Sequence, residues 1–379
     1  MQMDLHEFVE SAPGTPMGKL LRRFWQPVAV ASAVGPGQTM AVRILNEDLT
    51  LYRGETGQAH LVGQRCAHRG TELRVGWVEG DCIRCFYHGW KYDHTGQCVE
   101  QPAEDESFAR KVKIAGYPVQ EYAGLLLAYL GEGEPPPLPH RAELERGYGV
   151  QWLVRQVWPC NWFQRIENSM DGAHVSFVHR EAPFGQAVTP VIPKLEYEET
   201  EWGIIQRAVR GPDNVRVSEF HFPNCNHIVV PRAGDDGNGV WADLFAWKVP
   251  VDDEHTMEFL VSDVPVTGEA EKRLREWAVE YAQYDPSEHH EELLRGIMPK
   301  DPTRLIAAQD YLAQVLQGGI ADRGSERLGK CDAGLIFLRK IFRRELDAIN
   351  QGQPGKQWQH RTGLAQLPTP PAVRQPVAS

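Results

Sequence analysis

The sequence has no run approaching the roughly 20 apolar residues that a membrane span requires; the longest candidate, Tyr122 to Leu130, is far shorter. It has no basic start followed by an apolar stretch. Met1 to Ser11 carries scattered acids instead, so a cytoplasmic protein is expected. Positive charge is in deficit: the formal net charge of -11 would repel nucleic acid over most of the surface, which removes it as a partner. No strand-like run leads into G-x-G-x-x-G and a helix, which excludes a nicotinamide- or flavin-binding domain of that type. Cysteine is sparse. The seven, at 66, 82, 85, 98, 160, 225 and 331, are an odd number in a chain too large to need disulfide staples, so metal or buried-thiol roles are favoured. There is no internal repeat.

A chain of 379 residues has room for two cores. Leu5 to Arg23 reads as helix or helix-turn, broken at Gly14-Thr15-Pro16, with Met17 to Trp25 as a helical turn. From Gln26 onward, runs such as Thr39 to Ile44, Thr50 to Arg53, Lys111 to Ile114 and Gly124 to Leu130, set between turn residues, predict a small all-β domain. Glu132 to His140 (EGEPPPLPH) reads as a linker, because successive prolines continue neither a helix nor a central strand. Beyond it, strand-like stretches at Gly149 to Val157, Leu195 to Arg210, Val215 to His221, Trp241 to Val249 and Met257 to Pro265 flank a helical segment at Asn161 to Arg180. Glu269 to Tyr284 and Leu335 to Asn350 have the apolar spacing of helices, and the Pro-, Gln- and Gly-rich tail beyond Gln351 reads as extended or disordered. The expected layout is a helical segment at 1–25, a β domain at 26–135, a linker at 136–148, an α+β domain at 149–350 and a tail at 351–379.

Cys66-Ala67-His68 and Cys85-Phe86-Tyr87-His88 form C-x-H, sixteen residues, C-x-x-H. Each half offers one thiolate and one imidazole. A two-iron cluster with cysteines on one iron and histidines on the other needs such a set, thiolates stabilising the ferric iron and neutral imidazoles raising the potential of the iron that cycles. Arg69-Gly70 and Gly89-Trp90 follow the two halves, and glycine lets backbone approach sulfur closely. CAHRGTEL with CFYHGWKYDHTGQC resembles the Rieske motif of aromatic-ring-hydroxylating oxygenases. The resemblance implies Cys66 and Cys85 as ligands of one iron of a [2Fe-2S] cluster, and His68 and His88 of the other. A structural zinc held by Cys66, Cys82, Cys85 and a histidine is the competing metal reading, though it leaves unexplained why each cysteine is followed by a histidine. Cys82 and Cys98 are read as buried thiols.

The second constellation is Glu167-Asn168-Ser169-Met170-Asp171-Gly172-Ala173-His174, with His179 five residues on. Two histidines and a carboxylate on one side of a metal leave the other side open, as in non-heme iron(II) oxygenases. On a regular α-helix a spacing of five sets the two imidazoles about 140° apart, too far round to share a metal. A bend, a break or a one-residue π-bulge is therefore expected between them. The stretch from IAAQDYLAQ through RLGKCDAGLIFLRKIFRRELDAI resembles the C-terminal helices of the same family, which implies Asp310 as the third ligand, with Glu167 as runner-up. In that family the aspartate at the position of Asp171 touches an iron histidine of its own chain and a cluster histidine of its neighbour. That implies a bridge from His174 to His88 of a second copy and a cyclic oligomer, expected as a homotrimer. Asn168 and Asn161 fall in the family's iron-pocket neighbourhood, each also readable as a polar cap. Tyr87 is placed either at the contact between chains or in packing.

The opening GTPMGKLLRRFWQPVA is similar to the phthalate dioxygenase branch. The resemblance implies an α+β protein with an N-terminal all-β Rieske domain and a helix-grip (START-like) catalytic domain made of an antiparallel sheet and C-terminal helices. It also implies a terminal oxygenase that hydroxylates or O-demethylates an aromatic, carboxylated substrate with O2 at a mononuclear Fe(II). Electrons would come from NAD(P)H through a separate reductase, directly or through a ferredoxin. A cis-dihydroxylating dioxygenase and a cluster-only electron carrier are the alternatives. Arg207, Arg210 or Arg216 could pair a substrate carboxylate, and Ser218 to Asn224 with His227 could line the pocket.

Overall fold

The computed structural model describes residues 6–182, 191–212, 214–231, 241–361 and 363–365. They fall into two compact units, one spanning Glu10–Pro139 and the other made of the described residues on either side of it in the chain.

The unit at Glu10–Pro139 begins with α1 (Pro16–Arg22), which Thr15 caps by accepting from Gly18 N at 3.1 Å. The expected turn to Trp25 stops short, because Trp25 is drawn into a strand pairing with Tyr129. In chain order the strands are β1 (Trp25–Val30), β2 (Thr39–Ile44), β3 (Glu47–Arg53), β4 (Ala59–Gly63), β5 (Trp77–Glu79), β6 (Cys82–Arg84), β7 (Lys91–Tyr92), β8 (Cys98–Glu100), β9 (Gly116–Tyr117), β10 (Val119–Tyr122) and β11 (Leu125–Tyr129), with a short α2 (Glu106–Ala109) between β8 and β9. They form three antiparallel sheets ordered β1-β11-β10, β2-β3-β4-β9 and β5-β6-β7-β8. Tyr52, Val62, Leu73, Ile83, Trp90 and Tyr92 fill one core together with Cys66, Cys85 and Cys98. The strand expected at Lys111 to Ile114 does not form. Gln97 Nε2 donates to the carbonyls of Ala109 and Val112, and Lys113 makes only an isolated bridge to Gln97.

The other unit is built on a seven-stranded antiparallel sheet ordered β12-β18-β17-β16-β15-β14-β13. Its strands are β12 (Val150–Trp158), β13 (Lys194–Glu199), β14 (Gly203–Gly211), β15 (Asn214–His221), β16 (Cys225–Pro231), β17 (Trp241–Pro250) and β18 (Thr256–Val264). The run expected as one strand from Leu195 to Arg210 is a hairpin, because Thr200 Oγ1 accepts from Trp202 N and Gly203 N and turns the chain. α3 (Trp162–Met170) and α4 (Val175–Val178) follow β12; α5 (Gly268–Tyr281), α6 (His290–Leu294), α7 (Pro302–Val315) and α8 (Ala333–Asn350) follow β18. α8 buries Leu338, Phe342 and Leu346, Phe342 meeting Trp162 and Phe163 of α3 edge-on. The strip beyond Gln351 is extended and docked rather than loose: Trp358 stacks on Phe222 at 4.3 Å, and Lys356 Nζ donates to Glu199 at 2.9 Å. Leu5 at the start and residues 366–379 of the tail lie outside the described residues.

The period of two along each strand sorts the sheet into two faces. Gln206, Ala208, Arg210, Arg216, Ser218, Asn226, Ile228, Leu244, Ala246, Lys248, Glu258 and Ser262 face a cavity roofed by α3, α4 and α7. Glu219, His227, Asp243 and Asp263, at the alternate positions, face the other way and are buried.

Candidate metal centres

The two cysteine-histidine loops share one construction. Cys66 N donates to Thr71 O and Gly70 N to Cys66 O; Cys85 N donates to Trp90 O and Gly89 N to Cys85 O, all at 2.8 to 3.0 Å. Each loop is thus a tight turn closed by a glycine in the left-handed region, Gly70 at φ 77° and Gly89 at φ 75°, where a Cβ would be strained. Arg84 pins the second loop by donating to Gly89 O at 2.8 Å while held by Glu79 and Glu100. Both cysteines are buried and both histidines exposed, with the His68 and His88 rings 4.4 Å apart and His68 stacked on Trp90. The Tyr92 hydroxyl accepts from Ala67 N at 3.1 Å, which turns its proton toward Cys66 Sγ at 3.2 Å. Burial pushes the Cys85 thiol up from its ordinary value, so a thiolate there needs positive charge beside it, which iron would supply. Cys82 lies on β6, and Tyr87 is exposed with its ring against His88.

In the larger unit, α3 ends at Met170 and Asp171 leaves the helical region at φ -95°, ψ 89°. Only Val175–Val178 is helical beyond it, with His174 at the N-cap and His179 at a non-helical C-cap. The two histidines therefore do not share a regular α-helix, and their rings come within 5.5 Å. Asp310 arrives from the middle of α7, whose start Asp301 caps by accepting from Thr303 N and Arg304 N. His174 Nε2 lies 3.7 Å and His179 Nε2 3.5 Å from Asp310 Oδ1, beyond hydrogen-bond reach, and one ligand atom from each residue lies within 4.8 Å of the others. Asp310 Oδ1 is buried with no hydrogen-bond partner. The other ring nitrogens are engaged outward: His179 Nδ1 donates to Gln309 Oε1 at 3.1 Å, and His174 Nδ1 to the backbone carbonyl of Asp171. Both Nε2 lone pairs are thereby turned inward on an orphaned carboxylate oxygen, a donor set that fits one divalent iron. Burial opposes the charge on Asp310, but His179 and His174 facing it hold its carboxyl below the usual range; the same pairing raises His179 against its own burial.

The Asp171 carboxylate does something other than take the His174 ring proton. Its Oδ1 accepts from Ala173 N and His174 N, capping the turn that carries His174, while Oδ2 stands 3.8 Å from His174 Nδ1. Asn168 lines the cavity. Asn161 does not: it caps α3 by accepting from Phe163 N and donates to the carbonyls of Val9 and Asp253. Glu167 is also away from the metal set, clamped by Arg323 and Arg339. Of the arginines, Arg207 pairs with Glu198 on the rim of the sheet, whereas Arg210 and Arg216 line the cavity. Ser218 lines it too, but Glu219, His221 and His227 form a buried cluster on the far face.

The cavity measures about 280 Å³. Sequence reasoning missed polar residues of its wall and surround, among them Gln309, Arg165, Lys248 and Glu258. Arg165 stacks over Trp158 at 3.3 Å and pairs with Glu258 at 2.6 Å, and burial pushes the Lys248 ammonium down to about 8. A lysine inside the apolar run WADLFAWKVP was the available signal, since such a position is buried on either face.

The Rieske [2Fe-2S] domain family matches residues 24–122. Over 358 residues the chain is 33% identical to the 5,5'-dehydrodivanillate O-demethylase oxygenase subunit of Sphingobium sp., covering 91% of this chain and 80% of that one. It is 32% identical to the phenoxybenzoate dioxygenase alpha subunit of Ectopseudomonas oleovorans, covering 90% and 84%. The terminal oxygenase of carbazole 1,9a-dioxygenase from Novosphingobium sp. KA1 has the same fold, with a TM-score of 0.66 at 20% identity over 93% of this chain and 97% of that one. The chain belongs to the Rieske non-heme iron oxygenases, as an oxygenase subunit. Its cofactors are a [2Fe-2S] cluster and a mononuclear iron, and the readings as a zinc-binding module or a cluster-only carrier are set aside.

Proposed function

We propose that this oxygenase hydroxylates or O-demethylates an aromatic carboxylic acid, with the mononuclear iron held by His174, His179 and Asp310 and the cluster by Cys66, Cys85, His68 and His88. The observation that carries the reading is the convergence of two inward Nε2 atoms on Asp310 Oδ1, which lacks a hydrogen-bond partner, at the wall of the cavity. When bound, the cluster supplies electrons and the iron activates dioxygen beside the substrate. The chain's own groups orient and hold. Gln309 and the Asp171 carbonyl fix the tautomers of the two histidines, and Asp171 Oδ1 sets the turn that aims His174. Asn168 contributes a polar group to the cavity wall.

Recognition of a carboxylate is supported by Arg210 and Arg216. Arg210 Nε and Nη1 are buried without a hydrogen-bond partner, and burial together with Arg210 pushes Arg216 down to about 10. Two neighbouring guanidiniums in that condition are relieved by an anionic ligand, and their planar forks suit a carboxylate. The names of the two relatives, acting on a divanillate and a phenoxybenzoate, support an aromatic acid. In this reading a partner reductase draws on NAD(P)H, directly or through a ferredoxin, in the cytoplasm. A homotrimer lets the exposed His88 of one copy meet Asp171 of the next.

The test is elemental and catalytic. Purified protein should be red-brown with about three irons and two labile sulfides per chain, and should consume O2 with a reductase and a methoxylated or plain aromatic acid. Product mass separates one inserted oxygen from two. Protein that binds only two irons when fully loaded refutes the assignment of the second site.

A further inference from the structure

The catalytic cavity is cationic at both ends. Strand register puts Ser218, Ile228 and Leu244 at one level across β15, β16 and β17. Arg216 lies two residues from that level in one direction, and Arg210 of β14 lies further the same way. Lys248 lies four residues from it in the other, opposite Glu258 of β18. At about 3.3 Å per residue the backbone positions of Arg216 and Lys248 are about 20 Å apart along the strands. Ser169 Oγ, 3.3 Å from Asn226 Oδ1, and Gly172, packed against Gln206, hold the segment leading to His174 over the middle of that span. The metal set therefore sits between two positive poles.

The first pole has no counter-charge among the described residues, and at the second two cations share one carboxylate. Among the described residues no acid acts on Arg210 or Arg216: burial alone bears on the first, and burial with Arg210 on the second. At the other pole the carboxylate of Glu258 is claimed by Arg165 at 2.6 Å and stands 3.8 Å from Lys248 Nζ, while Asp310, which also acts on Lys248, faces the two histidines. The Lys248 ammonium donates instead to the neutral amide oxygen of Asn226. Burying an ammonium against a neutral acceptor is costly, and an anionic oxygen on the cavity's occupant would offset that cost.

We infer that the cavity takes an aromatic acid carrying a second anionic oxygen at its far end, with the first carboxylate at Arg210 and Arg216 and the second oxygen read by Lys248. This rests on the aromatic-acid reading above and adds the second pole. A ligand long enough to reach both is a two-ring acid.

Binding to the holoenzyme, followed by quenching of the cavity tryptophans Trp152 and Trp158, tests it with biphenyl-4-carboxylate against biphenyl-4,4'-dicarboxylate. Wild type is expected to favour the diacid by about tenfold, K248M to bring the two ligands to within about twofold, and K248R to keep the preference, as a charge-assisted contact predicts. Iron and sulfide content checks that each variant is folded and loaded. Equal affinities in wild type, or an undiminished preference in K248M, would overturn the inference. R216M separates the two readings: if it leaves monoacid affinity untouched, the aromatic-acid reading itself falls, whereas if it weakens the monoacid and wild type still shows no diacid preference, only the second pole is wrong.

Discussion

Arg361, in the C-terminal strip, holds Glu219 of β15 from the face of the sheet opposite the cavity, Nε to Oε2 at 3.0 Å, and also donates to Glu143 at 2.7 Å. Both carboxylates are 5% exposed or less, and Glu219 further receives His221 at 3.0 Å. The strand that carries Arg216 and Ser218 into the cavity is thus backed by a buried ion cluster that the last described residues complete.

Removing the guanidinium leaves two buried carboxylates without their cation. Arg361→Met is expected to destabilise the protein by about 3 kcal/mol, the range seen when one partner of a buried pair is lost. Adding Glu219→Gln should recover part of it, because one of the two stranded charges disappears. Chemical denaturation of the three proteins measures this, and an Arg361→Met protein as stable as wild type would show the strip to be merely laid on the surface.

Burial, with Arg141 adding to it, pushes His221 down to about 3. An unfolded histidine takes its proton near 6.5, so as pH falls the unfolded chain is protonated first and stability is lost from about 6.5 toward 3. His227 works in the opposite sense: Asp243 and Glu219 raise it against its burial, so its contribution is present at low pH and fades as pH rises through its folded value. Glu219, held below the usual carboxylate range against burial by His221 and His227, adds its own loss only below about 4.5. Between pH 6.5 and 4.5, melting curves should fall by up to about 1.4 kcal/mol per pH unit, and His221→Gln should flatten that limb.

Asp310→Asn is expected to lose the mononuclear iron while keeping the red-brown colour, a fall from about three irons to two per chain with sulfide unchanged. Gln309→Leu removes only the acceptor of the His179 ring proton and should weaken iron binding by about 10- to 100-fold. Retention of full iron by Asp310→Asn under a chelator would place the third ligand elsewhere.

Because burial brings the Lys248 ammonium down to about 8, the preference for a diacid over a monoacid should hold below that pH and decline as pH rises through it, while Arg210 and Arg216 stay charged. A preference that persists undiminished to pH 9 would assign the second anion to Arg165.

The cluster loops were readable because each packs its whole recognition into a few consecutive residues: C-x-H-x-G and C-x-x-H-G prescribe ligand, spacing and left-handed glycine together. The histidine pair was readable for the same reason, and its awkward spacing announced the break that Asp171 makes. Asp310 was not local. Nothing in IAAQDYLAQ distinguishes it from a solvated helix acid, and only resemblance pointed to it. Its neighbour Gln309, 130 residues from His179, carried no signal at all. Glu167 and Asn161 show the converse, polar residues in the right neighbourhood that folding spends on ion pairs and a helix cap.

What the sequence determined by itself was which cysteines and histidines stand at metal-ligating spacing and the division into a β-rich front and an α+β remainder, because residue spacing and hydrophobic period are properties of short segments. Which strand residues face the cavity, which cations there lack a counter-charge among the described residues, and how close Asp310 comes to His174 and His179 were decided only by the tertiary structure. Register and burial set those, and both depend on pairings between residues far apart in the chain.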